Sequence, residues 1–276
     1  MRRKRRLHRW LVRCALIAVT ILVVFPFFWI LVGSLEPLRN VLSNPPHFLP
    51  IPPRWSNYPR AWAAAPFGTY YRNSIIVTTA IVAGQVVTCS MGAYALTFLR
   101  LRMRTLLFFL VIIGLMVPEQ VSIVPVFLEM HDLGWINTYA ALIVPFLGSA
   151  FGIFLLRQSF ISIPPALVEA ARMDGASHWR TLTRVVIPNA RPALITLVIL
   201  NAVFHYNDLF WPLMFTNTNS VRTLPVGLAL FFASQGDLTP WNLLMASDVF
   251  IVVPLFILFF VGQRYLVQGV ATTGIK

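Results

Sequence analysis

Apolar residues fall into six long blocks separated by shorter polar stretches, at 14–35, 73–99, 105–128, 138–156, 192–214 and 243–263. Each block is close to the roughly 20 residues that a helix needs to cross the hydrocarbon of a bilayer. A helix on a water-soluble core would show one apolar stripe and a polar back. These blocks are apolar nearly all round, so the pattern predicts six transmembrane helices. The first block follows a basic stretch, as the apolar core of a signal peptide does. It is longer than the about 7–15 residues of such a core, and no small-residue cleavage site follows, so it is read as a retained helix.

The connections differ in kind. The outer segment 36–72 carries Pro45, Pro46, Pro50, Pro52, Pro53, Pro59 and Pro66 among many aromatics. Prolines on this scale block regular helix, so the segment predicts an ordered extracytoplasmic cap. The connection 215–242 is the second long outer segment. Either one could meet a soluble partner or serve only as a link.

The segment 158–191 is amphipathic and too polar to span. Pro164 and Pro165 suit a helix start, where the missing amide hydrogen goes unused anyway. Residues 166–174 are mostly good helix formers. Gly175 suits the left-handed position after a helix end, and Ser177 can cap a second helix. Trp179, Leu182 and Val186 then fall near one face, and Pro188 stops or bends the chain before the fifth block. The expectation is helix, glycine turn, helix. Spacing alone supports two roles equally: a knob that fits a groove in another protein, or a segment resting on lipid headgroups.

Composition agrees with a lipid environment. Of the 276 residues 58% are hydrophobic and only 11% are charged, against about 25% charged in a soluble domain. The net charge of +13 would suit nucleic acid, but the charges sit where topology signals belong. Seven of the 22 Lys and Arg lie within 2–13, directly before the first block. With the N-terminus inside, 17 of the 22 fall on inner segments and 5 on outer ones. That asymmetry predicts a multi-pass protein with both termini in the cytoplasm. Residues 1–13 become a basic cytoplasmic N-terminus, and 14–276 a single transmembrane domain in contact with anionic lipid, with no role in nucleic-acid binding.

Catalytic chemistry finds no foothold. Cys14 and Cys89 lie in apolar blocks, outside any metal or redox motif. The chain has no G-x-x-x-x-G-K-[S/T] phosphate loop, no G-x-S-x-G and no H-E-x-x-H. Polar groups within the blocks draw attention instead, because an Asp at the centre of a span costs about 2.5–3.5 kcal/mol on insertion scales. Asn201, His205 and Asp208 are spaced by four and three, which places them on one helical face. They are candidates for a polar translocation path, with Asp248 in the sixth block as a weaker fourth. The competing reading makes them interhelical hydrogen-bond partners. His205 has no second residue at metal-ligand spacing.

The segment 158–191 also resembles the EAA motif of bacterial ATP-binding-cassette (ABC) importer permeases. That motif is Glu-Ala-Ala, three residues, Gly, nine residues, then aliphatic, any residue, aliphatic and Pro. Here Glu169, Ala170, Ala171, Gly175, Val185, Ile187 and Pro188 stand at that spacing. The chain is similar to the carbohydrate-uptake subfamily, which includes maltose and glycerol-phosphate permeases. Further matches are Asn73-Ser74, Ala93-Tyr94-Ala95, Val117-Pro118-Glu119-Gln120 with Pro125, Leu133-Gly134, Asn137-Thr138, Leu224 to Leu228, and the tail from Gln263-Arg264 to Gly274-Ile275-Lys276. Tyr206-Asn207-Asp208 departs from the Trp-Asn-Asp or Trp-Asn-Glu of many relatives.

The resemblance implies an all-α type I ABC importer permease fold in the bacterial plasma membrane. It implies a coupling helix, carried by Glu169, Ala170, Ala171, Asp174, Gly175 and Pro188, that docks on a dimer of ATP-binding subunits. ATP and Mg would reside in those partners, with no cofactor in this chain. A second permease subunit and an extracytoplasmic substrate-binding protein complete the implied assembly. The implied cargo is a sugar (oligosaccharide, monosaccharide or amino sugar), with glycerol 3-phosphate or a glycerophosphodiester as the alternative. A self-contained secondary transporter is the competing class, and the lack of an internal repeat disfavours it.

Overall fold

A computed structural model describes the backbone of residues 2–45, 47–236 and 239–271, and the side chains of 9–45, 47–236, 239–260 and 262–263. Every regular element among the described residues is helical. The chain divides into two compact units, Met1–Phe67 with Leu228–Pro254, and Gly68–Gly227 with Leu255–Lys276. In order the helices are α1 (Arg2–Ser34), α2 (Leu38–Val41), α3 (Asn57–Ala64), α4 (Phe67–Phe98), α5 (Arg104–Met116), α6 (Glu119–Asp132), α7 (Tyr139–Ile143), α8 (Ala150–Ile161), α9 (Pro165–Met173), α10 (His178–Thr181), α11 (Ile187–Asn189), α12 (Arg191–Tyr206), α13 (Phe210–Phe215), α14 (Leu224–Ala233) and α15 (Trp241–Ala271).

Four stretches are long and apolar enough to cross a membrane: Arg9–Ser34, Phe67–Phe98, Tyr139–Ile161 and Trp241–Phe260. Two bent pairs also pass together, giving up to six if each counts as one span. The pair α5 and α6 meets at 95°, and His178–Asn189 meets Arg191–Tyr206 at 85°. The block 105–128, read as one span, is therefore bent sharply at Pro118. Pro118 has no amide hydrogen and drives the residue before it out of the helical region. Val117 is accordingly extended, with φ −86° and ψ 114°. Pro125 and Pro254, by contrast, lie inside α6 and α15.

In the first unit, the proline-rich segment contains regular helix after all. Pro59 falls in the first turn of α3, where the missing donor costs nothing. The buried Asn57 side chain donates to the carbonyls of Ser34 and Glu36 at 2.9 and 2.8 Å and accepts from Asn242 at 3.2 Å. It thus pins this segment to the end of α1. Tyr58 and Trp62 add edge contacts with Phe250 at 6.0 and 5.2 Å between ring centres. Pro46 lies outside the described residues, as does the tail match Gly274-Ile275-Lys276.

The second unit has two buried clusters. One joins Cys89 and Tyr94 of α4 to Leu156, Phe160, Val168, Leu182, Val186 and Leu197. The other joins Val77 and Ile81 to Met130, Leu142, Trp211, Phe215 and Val221. Beside the second cluster, several of the family-like residues converge on one loop. Asn73 donates to the carbonyls of Ser220 and Arg222 at 2.9 Å and accepts from Tyr139 at 2.6 Å. Ser74 accepts from the Leu224 amide at 2.8 Å. Asn137, at φ 63°, takes the amides of Asn217 and Thr218 on its side-chain oxygen at 3.1 and 3.0 Å. These bonds satisfy a loop backbone that would otherwise lack partners.

Candidate coupling loop and transport cavity

The loop between α8 and α12 folds as helix, glycine turn, helix. Pro165 opens α9. At its end Gly175 takes φ +81°. The Gly175 amide donates to Arg172 O at 3.1 Å, and the Ala176 amide donates to Ala171 O at 3.0 Å. This is the paired closure of a Schellman motif, which needs a left-handed residue where glycine stands. Ser177 then accepts from the Arg180 amide at 3.3 Å and caps α10. Residues Leu182–Val186 wind as a π turn, just before Pro188, which has no amide hydrogen for the usual helical bond.

Part of the apolar surface of this loop is turned to its own protein, while Leu167, Met173 and Trp179 are exposed. Val168, Leu182 and Val186 are buried against Tyr94, Leu156 and Phe160. The expectation that Trp179 shares that face fails, since it is 58% exposed. Thr181 is fully buried and marks the inner side, and a residue two positions away lies about 200° round the helix. The outer surface carries Glu169, Ala170, Asp174, Gly175 and Pro188, with Ala171 half-buried. The side chains of Glu169 and Asp174 have no hydrogen bond or ion pair among the described residues.

A polar latch also holds the loop to α4. Arg172 meets His178 Nε2 at 2.6 Å, and Tyr94 Oη meets His178 Nδ1 at 3.1 Å. Arginine can only donate, so Nε2 accepts and Nδ1 carries the imidazole proton toward Tyr94. His178 is a residue that sequence reasoning missed. The signal was available in Tyr94, a polar ring closing an otherwise apolar span.

A cavity of about 580 Å³ lies in the second unit. It opens where helices are interrupted: at the α5–α6 break, with Val117, Glu119 and Ser122, and at Gly148-Ser149 before α8. Non-helical backbone at membrane depth is tolerated only inside protein or beside water. Gln85 reaches in from α4, and Asn201 and His205 from α12. Gln85 Nε2 donates to Phe146 O at 2.8 Å and meets His205 Nε2 at 3.3 Å. The carbonyl can only accept, which fixes the orientation of the amide. His205 Nε2 is then an acceptor, leaving the imidazole proton on Nδ1. The Phe146 ring packs edge-on to His205 at 5.0 Å.

The four residues expected along a polar path are thus divided. Asn201 and His205 line the cavity together. Asp208 lies beyond the end of α12 at Tyr206, so the shared-face argument does not extend to it. Its carboxylate instead accepts from the Trp211 amide at 3.2 Å at the start of α13. Asp248 belongs to the first unit. Gln85, Ser122 and Ser149 line the cavity without having been singled out, and Glu119 had been named only within a family-like stretch. The rule that flagged Asp208, an ionisable group inside an apolar block, applies equally to Glu119. Among the described residues no group of three His, Cys, Asp or Glu could hold a metal ion.

The sequence profile of the binding-protein-dependent transport system inner membrane components matches residues 85–272. The sn-glycerol-3-phosphate transport system permease protein UgpE of Yersinia enterocolitica is 31% identical over 260 residues, 92% of each chain. Its counterpart in Brucella abortus is 32% identical over 269 residues, 94% of each chain. Among solved structures, a chain of a bacterial ABC transporter involved in the import of the acidic polysaccharide alginate matches with a TM-score of 0.85 at 28% identity. The match covers 95% of this chain and 97% of that one.

Proposed function

The chain belongs to the family of binding-protein-dependent transport system inner membrane components, and from that membership we propose how its parts are used. It is a permease subunit of an ABC importer, a transport subunit rather than an ATPase. In our reading, residues 14–276 act as one transmembrane domain in the bacterial inner membrane, with 1–13 and both termini in the cytoplasm. The chain builds half of the translocation path, and a second permease builds the other half. Glu169, Ala170, Ala171, Asp174, Gly175 and Pro188 meet a dimer of ATP-binding subunits that hold ATP and Mg. A substrate-binding protein delivers cargo from outside.

The observation that carries this reading is the loop 158–191. It is anchored from behind by Val168, Leu182 and Val186 and presents Glu169, Ala170 and Gly175 outward. A knob fixed this firmly moves as a body with whatever grips it. An amphipathic segment resting on lipid would bury its apolar face in lipid rather than in its own fold.

The proposed cargo is a sugar, with the cavity around Asn201 and His205 as this chain's part of the path. A second reading, glycerol 3-phosphate or a glycerophosphodiester, draws on the names of the Yersinia and Brucella relatives. The test of coupling is Ala170→Trp. Ala170 sits on an exposed helical face, so the bulky ring leaves the fold of the chain intact while blocking a docked partner. We expect normal membrane insertion with loss of the co-purifying ATPase and of transport. A variant that keeps both sinks the reading.

A further inference from the structure

The cavity holds one feature that its polar path role does not require. Gln85 is 2% exposed, and its side-chain oxygen is buried without a hydrogen-bond partner. Both of its amide hydrogens are used on Phe146 and His205. Its oxygen is therefore an acceptor waiting for a donor, since buried polar groups are nearly always paired. His205 Nδ1 carries a hydrogen, so these two linked lining residues hold one donor and one acceptor beyond their own bonds, the pairing that a hydroxyl group satisfies. These groups are held in place by protein hydrogen bonds and by the Phe146 ring.

This chain's lining of the cavity contributes charge of one sign. Glu119 is exposed at its lining, and no Lys or Arg is among the lining residues. Two helices start at this cavity, and a helix N-terminus ordinarily attracts anions. Each start already carries a polar group of this chain, although no side chain bonds the first amides of α6. Glu119 occupies the first turn of α6, and Ser149 Oγ accepts from the Gly152 amide at 3.0 Å at the start of α8. Two like unit charges about 6 Å apart, at an effective dielectric near 40, repel enough to lower occupancy about tenfold.

We infer that this cavity is an anion-excluding subsite for a polyhydroxylated ligand, in which Glu119 sets the sign and Gln85 and His205 supply the fixed hydroxyl partners. The cargo is then an uncharged sugar or an amino sugar, rather than a sugar phosphate or a uronate. The inference rests on the reading of the cavity as this chain's half of the translocation path.

The test uses the assembled transporter in nanodiscs, with Cys14→Ser and with Ser122→Cys placing one thiol in the cavity. The buried Cys89 stays, and its labelling is measured in the Ser122 parent as background. The probes are a trimethylammonium and a sulfonate methanethiosulfonate, each rate normalised to its rate with free cysteine. We expect the cationic probe to label about tenfold faster or more. Glu119→Gln removes the preference, and so does 1 M salt, where the screening length falls to about 3 Å. The salt measurement needs no variant at position 119. Equal labelling by both probes, unchanged by Glu119→Gln or by salt, overturns anion exclusion and leaves the aqueous path standing. No labelling by either probe, with or without ATP, overturns the path reading itself.

Discussion

Leu182 anchors the loop 158–191 to its own fold, and its truncation tests that anchoring. The side chain is 3% exposed and packs in the cluster with Tyr94, Phe160 and Val186. Leu182→Ala removes three carbons from a packed site, with a cost of about 2–5 kcal/mol. Taking about 3 kcal/mol, the equilibrium for detaching the loop shifts by roughly a hundredfold. Trp179 is the control, since at 58% exposure its truncation to Ala removes little buried contact and costs within about 0.5 kcal/mol. Hydrogen–deuterium exchange over 165–186 reads the loop directly, and cargo moved per ATP hydrolysed in proteoliposomes reads coupling. We expect Leu182→Ala to speed exchange about a hundredfold and lower the transport ratio, with ATPase activity retained. Trp179→Ala leaves exchange unchanged. The reverse order, with Trp179→Ala opening the loop and Leu182→Ala leaving it closed, refutes the argument that this face anchors the knob.

Tyr94→Phe deletes the hydroxyl that meets His178 and costs about 1 kcal/mol, read as exchange in α10 rising about fivefold. Gly152→Leu drives a Cβ to within 2.6 Å of Cys89 Sγ and 3.1 Å of Leu197. Overpacking of this kind costs about 1–3 kcal/mol or more and lowers the thermal midpoint of the purified chain, whereas Gly175→Ala meets no neighbour and pays only for its positive φ. Asn137→Ala strips three donors in the 217–218 turn of their acceptor and costs about 1–3 kcal/mol, seen as faster proteolysis within 215–223.

The apolar blocks were legible because lipid imposes a simple length and composition rule on any spanning helix. The hairpin 158–191 was legible because Pro165, Gly175 and Ser177 each have a local conformational reason for their place. Pro118, Pro125 and Pro254 look alike in the sequence as kink candidates, yet Pro118 alone ends a helix, while Pro125 and Pro254 sit inside theirs. α3 was hidden because seven prolines suggested no helix, while Pro59 occupies the one helical turn that tolerates it. Trp179 was assigned to the buried face by its helical spacing with Leu182 and Val186, although the fully buried Thr181 marks the inner side. The cavity was only half legible. Gln85 and His205 are 120 positions apart, and nothing local to either announces the other.

The central claim, that the outward face of 158–191 grips a separate ATPase, is tested most directly by cross-linking. A thiol at Ala170→Cys, in the transporter purified from its own membrane, is treated with a short bifunctional reagent in the presence and absence of ATP. The account predicts a cross-link to a phosphate-loop ATPase, with transport lost once the link forms. An uncross-linked loop, together with ion-gradient-driven flux through this polypeptide alone, would contradict it.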